Sequence, residues 1–231
     1  MQRFAVLTLV VIMAMGPTSV AAYSQADVDR MMAGDKNMQN ADLSGITQIN
    51  LTQRQYKHVD FSGSDFRGSR MWGLVFDFAK MEGAKFDNGS FHNAHFHDVN
   101  LKGASLVNVD WSSVPAGGAD FTGANLSGAK LTSAYLQASK LIQANLSGAD
   151  LSNSSLWRAD LTGANLQGTV LTNVEMEGAK IDQKWKNYIQ GQNVRNLDKI
   201  EWIQRVPIKP QDLNRPAVDK RPRTPKVPLN R

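Results

Sequence analysis

The chain contains 231 residues, of which 26 are Lys or Arg, 21 are Asp or Glu and none is Cys. The missing thiols exclude a disulfide framework and a cysteine nucleophile. The formal net charge of +5 belongs to one segment, because residues 207–231 hold seven basic and two acidic residues whereas residues 44–186 hold thirteen of each.

Residues 1–22 have the pattern of a secretory signal peptide. Arg3 precedes an apolar run over 4–15, a break at Gly16-Pro17 follows, and small residues at 21–22 form a cleavage site. The run is too short for a spanning helix. We therefore expect an exported mature chain that begins at Tyr23 and has no transmembrane segment. A bacterial periplasm is the simplest destination, and a thylakoid lumen is the alternative.

Residues 23–43 are predicted to hold an N-terminal capping helix and a lead-in. Ser24 and Asp27 have the spacing of a capping box with Asp in place of Glu. Val28, Met31 and Met32 then follow at helical spacing. Such a helix would cover the first coil of the repeat that comes next, with a partner-binding helix as the alternative.

A large apolar residue recurs at every fifth position from Ile46 to Ile181, which makes 28 positions, and only Ala116 among them is small. We call these positions the centres. Two residues before a centre the chain carries 13 Ala and 12 Ser, Thr, Gly or Val, with three bulky exceptions at Ile49, Arg54 and Leu74. Neither a helix nor a strand repeats its buried face every five residues. The period instead fits a chain that turns a corner every five residues, so that four units close a square coil.

This pattern predicts an all-β solenoid. Seven such coils, about 4.8 Å apart, would make a rod on the order of 30 Å long, with the centres stacked inside and the small residues in the corners. The core is predicted to include the run Phe121, Leu126, Leu131, Leu136, Leu141, Leu146, Leu151, Leu156, Leu161 and Leu166.

Tandem copies such as ANLSG (124–128 and 144–148), ADLTG (159–163) and ANLQG (164–168) resemble the pentapeptide-repeat family. The resemblance covers about 44–183 and implies a right-handed quadrilateral β-helix. An earlier copy, ADLSG (41–45), is out of register with Ile46, so we interpret 41–50 as a ragged first coil.

The five-residue phase ends after Ile181. Trp185, Tyr188 and Ile189, and then Leu197, Ile200 and Ile203, switch to helical spacing. We expect residues 184–206 to form a cap of one or two short helices, with a partner-binding helix as the alternative. Residues 207–231 hold six of the eight prolines, so we expect a disordered basic tail. That tail is either simply solvated or binds an anionic surface or a partner groove.

Candidate site residues concentrate on one face of the predicted coil. We call it the aromatic face, and it is built on the centres Tyr56, Phe76, Phe96, Ala116, Leu136, Leu156 and Met176. The other three, rich in Ser, Thr, Gly and Asn, are the polar faces. A protein-binding surface is predicted from residues on or next to the aromatic face, namely Trp72, Asp77, Phe78, His95, His97, Tyr135, Trp157 and Arg158. A bend or bulge is expected at Ala116.

No catalytic motif stands out, and we expect no enzymatic activity and no cofactor. His92, His95 and His97 have metal-ligand chemistry, but surface histidines are the favoured interpretation and no metal site is predicted. The expected function is a secreted interaction scaffold for a protein or complex of the cell envelope. The alternative, implied by the family resemblance, is a nucleic-acid mimic that protects topoisomerases. Mimicry needs a strongly acidic surface, so we expect no nucleic-acid role.

Overall fold

The computed structural model describes residues 23–47 and 54–204. Its regular elements are helix α1 (Gln25–Ala33), strand β1 (Lys180–Asp182), helix α2 (Lys186–Gln190) and strand β2 (Glu201–Ile203), with 3₁₀ turns at Gln183–Trp185 and Leu197–Lys199. The predicted signal peptide, the basic tail and the centre at Leu51 lie outside the described residues. Within those residues, no helix is long and apolar enough to cross a membrane.

The repeat forms a β-helix solenoid whose coils are joined by parallel bridges between residues twenty apart, such as Asn125 with Asn145. The unit Asn125–Ala129 shows how five residues fill one side. The N–H of Leu126 donates to the carbonyl of Asn145 at 2.7 Å, and Ala129 closes a turn back to Leu126 at 3.1 Å. Gly128, the third residue of that turn, has a left-handed φ of 65°, as type II turns require. Each straight segment is so short that it makes isolated bridges instead of long strands.

The centres fill the interior. Every centre from Tyr56 to Ile181 is buried, including the whole predicted run from Phe121 to Leu166. The first coils hold stacked rings, such as Phe66 on Phe86 at 4.9 Å between centroids, and the later coils hold leucine columns. Burying a side chain of this size contributes about 1.5–3 kcal/mol, which explains how a rod without disulfides is stable.

The bulge predicted at Ala116 as one of two alternatives is absent, so that part of the prediction is wrong. Pro115 bridges Tyr135, and Phe96 N–H still donates to the Pro115 carbonyl at 2.8 Å. The register of twenty is therefore kept through this coil. Trp111 supplies the volume that Ala116 lacks, because its buried indole lies over the Phe96 ring.

The first coil departs from the prediction. Asn37 bridges Asp60 and Asp42 bridges Asp65, which is a spacing of 23 residues instead of twenty. The three extra residues put the buried Leu43 at a centre position, whereas Ile46 falls in a corner, where its carbonyl accepts from Arg70 N–H at 2.7 Å. The copy at 41–45 is thus a true repeat unit, and Ile46 as the first centre is wrong.

Helix α1 lies against this first coil. Ser24 is its N-cap and accepts from Asp27 N–H at 3.3 Å, and Gly34 ends it with a left-handed φ of 82°. Val28 and Met31 are buried against the core. Asp27 also accepts from Asp42 N–H at 3.0 Å, and that bond is the largest cause of a lowered pKa at Asp27.

After β1, side-chain donors replace the backbone N–H groups that a further coil would have supplied to the last carbonyls. Trp185 Nε1 donates to the Ala164 carbonyl at 3.0 Å, and Tyr188 Oη donates to the Thr169 carbonyl at 2.8 Å. Strand β2 then pairs in parallel with β1. A helix through Ile200 and Ile203 is therefore wrong, because pairing with β1 satisfies backbone groups that a short helix would have left open.

Candidate functional site

The polar faces use their outer side chains to support the coil. The residue before a centre is repeatedly Asp or Asn, and its side chain accepts from the N–H two residues later, as Asn145 does from Ser147 at 3.2 Å. These side chains also pair between coils. Asn145 donates to Asn125 at 3.1 Å, and Lys140 Nζ lies 3.5 Å from an Asp120 carboxylate oxygen. The Asp or Asn of the repeat therefore has a structural function.

The aromatic face lacks the Asp or Asn of this pattern, although Ser155 Oγ donates to Glu175 at 2.9 Å between coils. The residues before its centres include no Asp or Asn within the described chain; they are Gln55, Val75, His95, Pro115, Tyr135, Ser155 and Glu175. Its outer side chains are bulkier and more varied than the local turn geometry needs. These outer side chains are therefore available to bind another molecule.

The first cluster on the aromatic face contains Phe78. Its ring is 48% exposed and stacks on the imidazole of His58 at 5.1 Å with an interplanar angle of 11°. On the next coil, His95 is exposed and meets His97 edge to face at 6.2 Å. Asp77 is held in place, because its carboxylate accepts from His97 N–H at 3.1 Å. Four of the predicted site residues thus lie together on two adjacent coils.

The coil after this cluster has small outer residues, and we call it the notch. It presents Pro115, Gly117 and Gly118 outward, so it carries hardly any side chain. A Cβ added to Gly118 would come within 2.2 Å of Asp98 Oδ1, and Gly118 has a left-handed φ of 71°. Glycine adopts this conformation without strain, and the Asp98 side chain occupies the space that a side chain at Gly118 would take.

The second cluster lies on the far side of the notch. Tyr135 is 53% exposed and bridges both Pro115 and Ser155. Trp157, one coil further, is half-buried, and the guanidinium of Arg158 lies 4.3 Å from its ring centroid. This geometry is a cation–π contact. The indole is consequently less accessible than the sequence suggests.

Trp72 lies on the neighbouring polar face, three residues before Val75. It is the most exposed large apolar side chain in the described chain, at 57%. It meets His92 edge to face at 6.1 Å, and His92 Nε2 lies 3.6 Å from Asp110. Trp72 therefore extends the aromatic surface around a corner of the rod.

Left-handed backbone at non-glycine residues occurs on the aromatic face and, equally often, on the polar face that carries Trp72. The third turn residue has positive φ in every repeat, and on the aromatic face five such residues are not glycine: His58, Phe78, Asp98, Ala138 and Arg158. Left-handed backbone costs an L-residue roughly 1–2 kcal/mol. Asp and Asn tolerate it, but Phe78 at φ 62° is a costly choice. Strain of this kind accumulates at functional sites.

The predicted site residues therefore fall into three places. The first cluster consists of Asp77, Phe78, His95 and His97. The second cluster consists of Tyr135, Trp157 and Arg158. Trp72 lies around the corner, on the neighbouring polar face. Two bulky exceptions named from the sequence are structural, because Leu74 is fully buried and Arg54 Nη1 donates to the Met32 carbonyl at 2.8 Å. His58 was missed, although it stands twenty residues before Phe78 and the coil period would have revealed it. No three metal-binding side chains converge anywhere in 23–47 or 54–204.

Comparisons with known proteins agree with this architecture. The family model for pentapeptide repeats matches eight copies, over residues 57–93, 75–110, 119–158 and 149–183, which together make more than half of the chain. No curated protein sequence matches the chain significantly.

Similar solved structures include QnrB1, a plasmid-mediated fluoroquinolone resistance protein, at 16% identity and a TM-score of 0.42, covering 72% of this chain and 77% of that one. HetL, involved in heterocyst differentiation regulation in the cyanobacterium Nostoc, matches at 21% identity and 0.30, covering 77% and 94%. A pentapeptide repeat protein of the Arabidopsis thaliana thylakoid lumen matches at 22% identity and 0.19, covering 53% and 75%.

Proposed function

The chain belongs to the pentapeptide-repeat family, and on that premise we propose that it is a non-enzymatic interaction scaffold. The rod presents its aromatic face to a protein or protein complex of the cell envelope. In a solenoid the repeats supply the scaffold, and function resides in the side chains placed on it.

One observation carries this proposal. Four large apolar side chains are exposed among the described residues. Phe78 and Tyr135 lie on the aromatic face and Trp72 lies beside it, whereas Val170 lies alone on the polar face of Trp72, five coils away. Exposed apolar residues are ordinary when scattered. Grouped aromatic side chains beside Arg and His instead have the composition of a binding hot spot.

We further propose that the protein works after export. The support is the pattern of residues 1–22, which resembles a signal peptide with cleavage before Tyr23. A fusion that lacks 1–22 should remain in the cytoplasm, whereas the full chain should be processed at Tyr23. Intact Met1 on cytoplasmic protein would contradict export and would favour the alternative of nucleic-acid mimicry. Charge disfavours that alternative, because residues 44–186 have no net charge.

The test is recovery of the partner from envelope fractions after mild crosslinking. Trp157→Ala and Phe78→Ala should each reduce recovery several-fold while the melting temperature changes little, because both side chains lie outside the core. Thr132→Ala on a polar face is the matched control and should change neither. If Trp157→Ala unfolds the protein, Trp157 is a packing residue and the second cluster loses its anchor.

A further inference from the structure

All four histidines of the chain lie on one part of the rod, within three adjacent coils that also carry two of the exposed aromatic residues. Three of them are on the aromatic face and one is on the polar face of Trp72. We call this part the histidine surface, and it consists of His58, His92, His95 and His97 with Phe78 and Trp72. We propose that it binds a carboxylate-rich region of a partner protein, and that protonation of the imidazoles strengthens the binding.

Two of the imidazoles touch the exposed aromatic side chains directly. His58 stacks on Phe78 with 5.1 Å between ring centroids and an interplanar angle of 11°. His92 meets Trp72 edge to face at 6.1 Å. A partner that covers Phe78 and Trp72 therefore also contacts these imidazoles. A cation over an aromatic face is attracted to it, so the stack of His58 on Phe78 is kept when His58 is protonated.

The permanent charges of this region balance. The aromatic face over 54–118 and the polar face of Trp72 over 69–113 carry three permanent cations and three carboxylates, which are Arg54, Lys57, Arg70, Asp77, Asp98 and Asp110. The formal charge is therefore zero with neutral imidazoles, and the four imidazoles add up to +4 when protonated. Histidine is the side chain that ordinarily titrates between about pH 5 and 8. Mild acidification thus adds positive charge here and leaves the side chains of the other two faces unchanged.

The carboxylates near the imidazoles are mostly engaged elsewhere. Asp77 accepts from the backbone N–H of His97 at 3.1 Å, and the Asp98 side chain lies over Gly118. On the side of the first coil, Asp35 is paired with Arg30 at 2.9 Å.

At the same edge, Lys36 Nζ donates to the Lys57 carbonyl at 3.2 Å, so a permanent cation borders His58. Among the described residues only His92 lies within 4.0 Å of a carboxylate oxygen, that of Asp110 at 3.6 Å. The charge gained at His58, His95 and His97 is therefore open to pairing with carboxylates of another molecule.

The size of the histidine surface fits a local cluster of carboxylates on a protein. Three adjacent coils extend about 10 Å along the rod, and the surface turns a corner between Trp72 and Phe78. An anionic membrane is a broad plane, whereas the positive charge gained here is confined to this corner. A few Asp or Glu side chains beside a pocket for the two aromatic rings match both the charge and the shape. Such complementary charge sets specificity and the rate of association.

The test follows the imidazole Cε1–H signals of the full chain by NMR while the pH is lowered from about 8 to about 5. Poly-L-glutamate, which stays anionic over this range, is present in one series and absent from the other. A ligand that prefers the protonated surface must move the midpoints of the imidazole titrations to higher pH, because the two equilibria are linked. We expect shifts of several tenths of a pH unit at His58, His95 and His97, and a smaller shift at His92 beside Asp110.

The affinity for poly-L-glutamate should be about tenfold higher near pH 5.5 than near pH 7.5. A gain in affinity with unshifted imidazole midpoints would assign the binding to other cations of the chain and overturn the proposal. No gain would overturn it as well. Midpoints that move with phosphatidylglycerol vesicles but not with poly-L-glutamate would assign the surface to a membrane, and this result would also contradict it.

A variant without histidine tests the same point independently. His58 has a left-handed φ of 59°, which Asn tolerates, so His58→Asn is combined with Gln at positions 92, 95 and 97. Its affinity for poly-L-glutamate should be the same at both pH values. The matched control is Lys85→Gln, at an exposed position on another polar face, which should weaken binding equally at both and keep the tenfold ratio. A tenfold ratio in the histidine-free variant would contradict the proposal.

This inference rests on the proposed interaction scaffold and names the chemistry of its partner, but the two fail separately. The NMR titration needs no partner protein. A negative titration leaves the envelope recovery experiment untouched, and failure to recover a partner leaves a positive titration standing.

Discussion

The Trp111 indole stacks on the Phe96 ring with 4.2 Å between centroids and an interplanar angle of 27°. The stacking column of Phe96 continues to Ala116 on the next coil, so a methyl group stands where other coils carry a large side chain. The indole reaches into that space from the neighbouring side of the coil. Two deviations from the repeat, one oversized residue and one undersized residue, therefore compensate each other.

This compensation predicts coupled mutational effects. Ala116→Leu should force the indole out of place and destabilise the rod by about 1–3 kcal/mol, the usual cost of overpacking. Trp111→Leu alone leaves a cavity and should also destabilise. The double variant restores a leucine at both centres and should be more stable than the two single effects predict. Urea denaturation of all four proteins measures the coupling, and simple additivity would contradict the packing described.

A second prediction concerns the direction of neighbouring side chains. Leu146 is fully buried in a leucine column, whereas Ser147 is partly exposed on a polar face. Leu146→Asp places a charge in the apolar core and should cost several kcal/mol. Ser147→Asp should be nearly silent. Thermal denaturation compares them directly, and equal losses would be incompatible with a repeat of five.

Acid sensitivity gives a third prediction. Burial alone would raise the pKa of Asp120, but hydrogen bonds from Thr122 and the nearby Lys102 and Lys140 lower it overall below its ordinary value of 3.8. A carboxylate with a lowered folded-state pKa stabilises the fold above its unfolded pKa, and this contribution is lost as pH falls through the folded value. The urea concentration at the midpoint of unfolding should therefore decrease when the pH is lowered below about 4. In the Asp120→Asn variant the midpoint should decrease less over the same pH range. An unchanged pH dependence would contradict a stabilising role of the Asp120 carboxylate.

The left-handed conformation of Phe78 gives a fourth prediction. Phe78→Ala and Phe78→Gly both remove the ring that stacks on His58, so both should lose partner recovery equally. They differ in backbone cost, because glycine adopts φ 62° without strain. Phe78→Gly should therefore be about 1 kcal/mol more stable than Phe78→Ala. If Ala is the more stable replacement, Phe78 is not strained and loses its functional interpretation.

Much of the fold could be predicted because each residue's direction follows from its place in the five-residue unit. Leu146 and Ser147 are adjacent in the chain yet opposite in burial, and the period alone places both correctly. The first coil could not be predicted so well, since Ile46 keeps the apolar phase although three extra residues move it into a corner. The extended path of Ile200 and Ile203 was also missed, because it depends on pairing with β1 and not on local spacing.

The candidate site was predicted less completely. Phe78 and Tyr135 are exposed as expected, since they lie on the outside of the coil. Trp157 has the same outward position, but its exposure depends on where Arg158 points, and spacing says nothing about rotamers. Gly117 and Gly118 were not predicted as site residues, because a search for chemically distinctive side chains passes over glycine.

The most direct test of the account is hydroxyl-radical footprinting of the protein within its native envelope, compared with purified full chain in 1 M salt. High salt in the reference sample screens charge-dependent contacts with other molecules. If the aromatic face is docked, Phe78, Tyr135 and Trp72 should be less oxidised in the envelope, whereas Val170, five coils from Trp72 on the same polar face, should react equally in both samples. Equal oxidation of the three aromatic residues in both samples, or protection confined to Val170, would contradict the aromatic face as the surface through which this rod binds its partner.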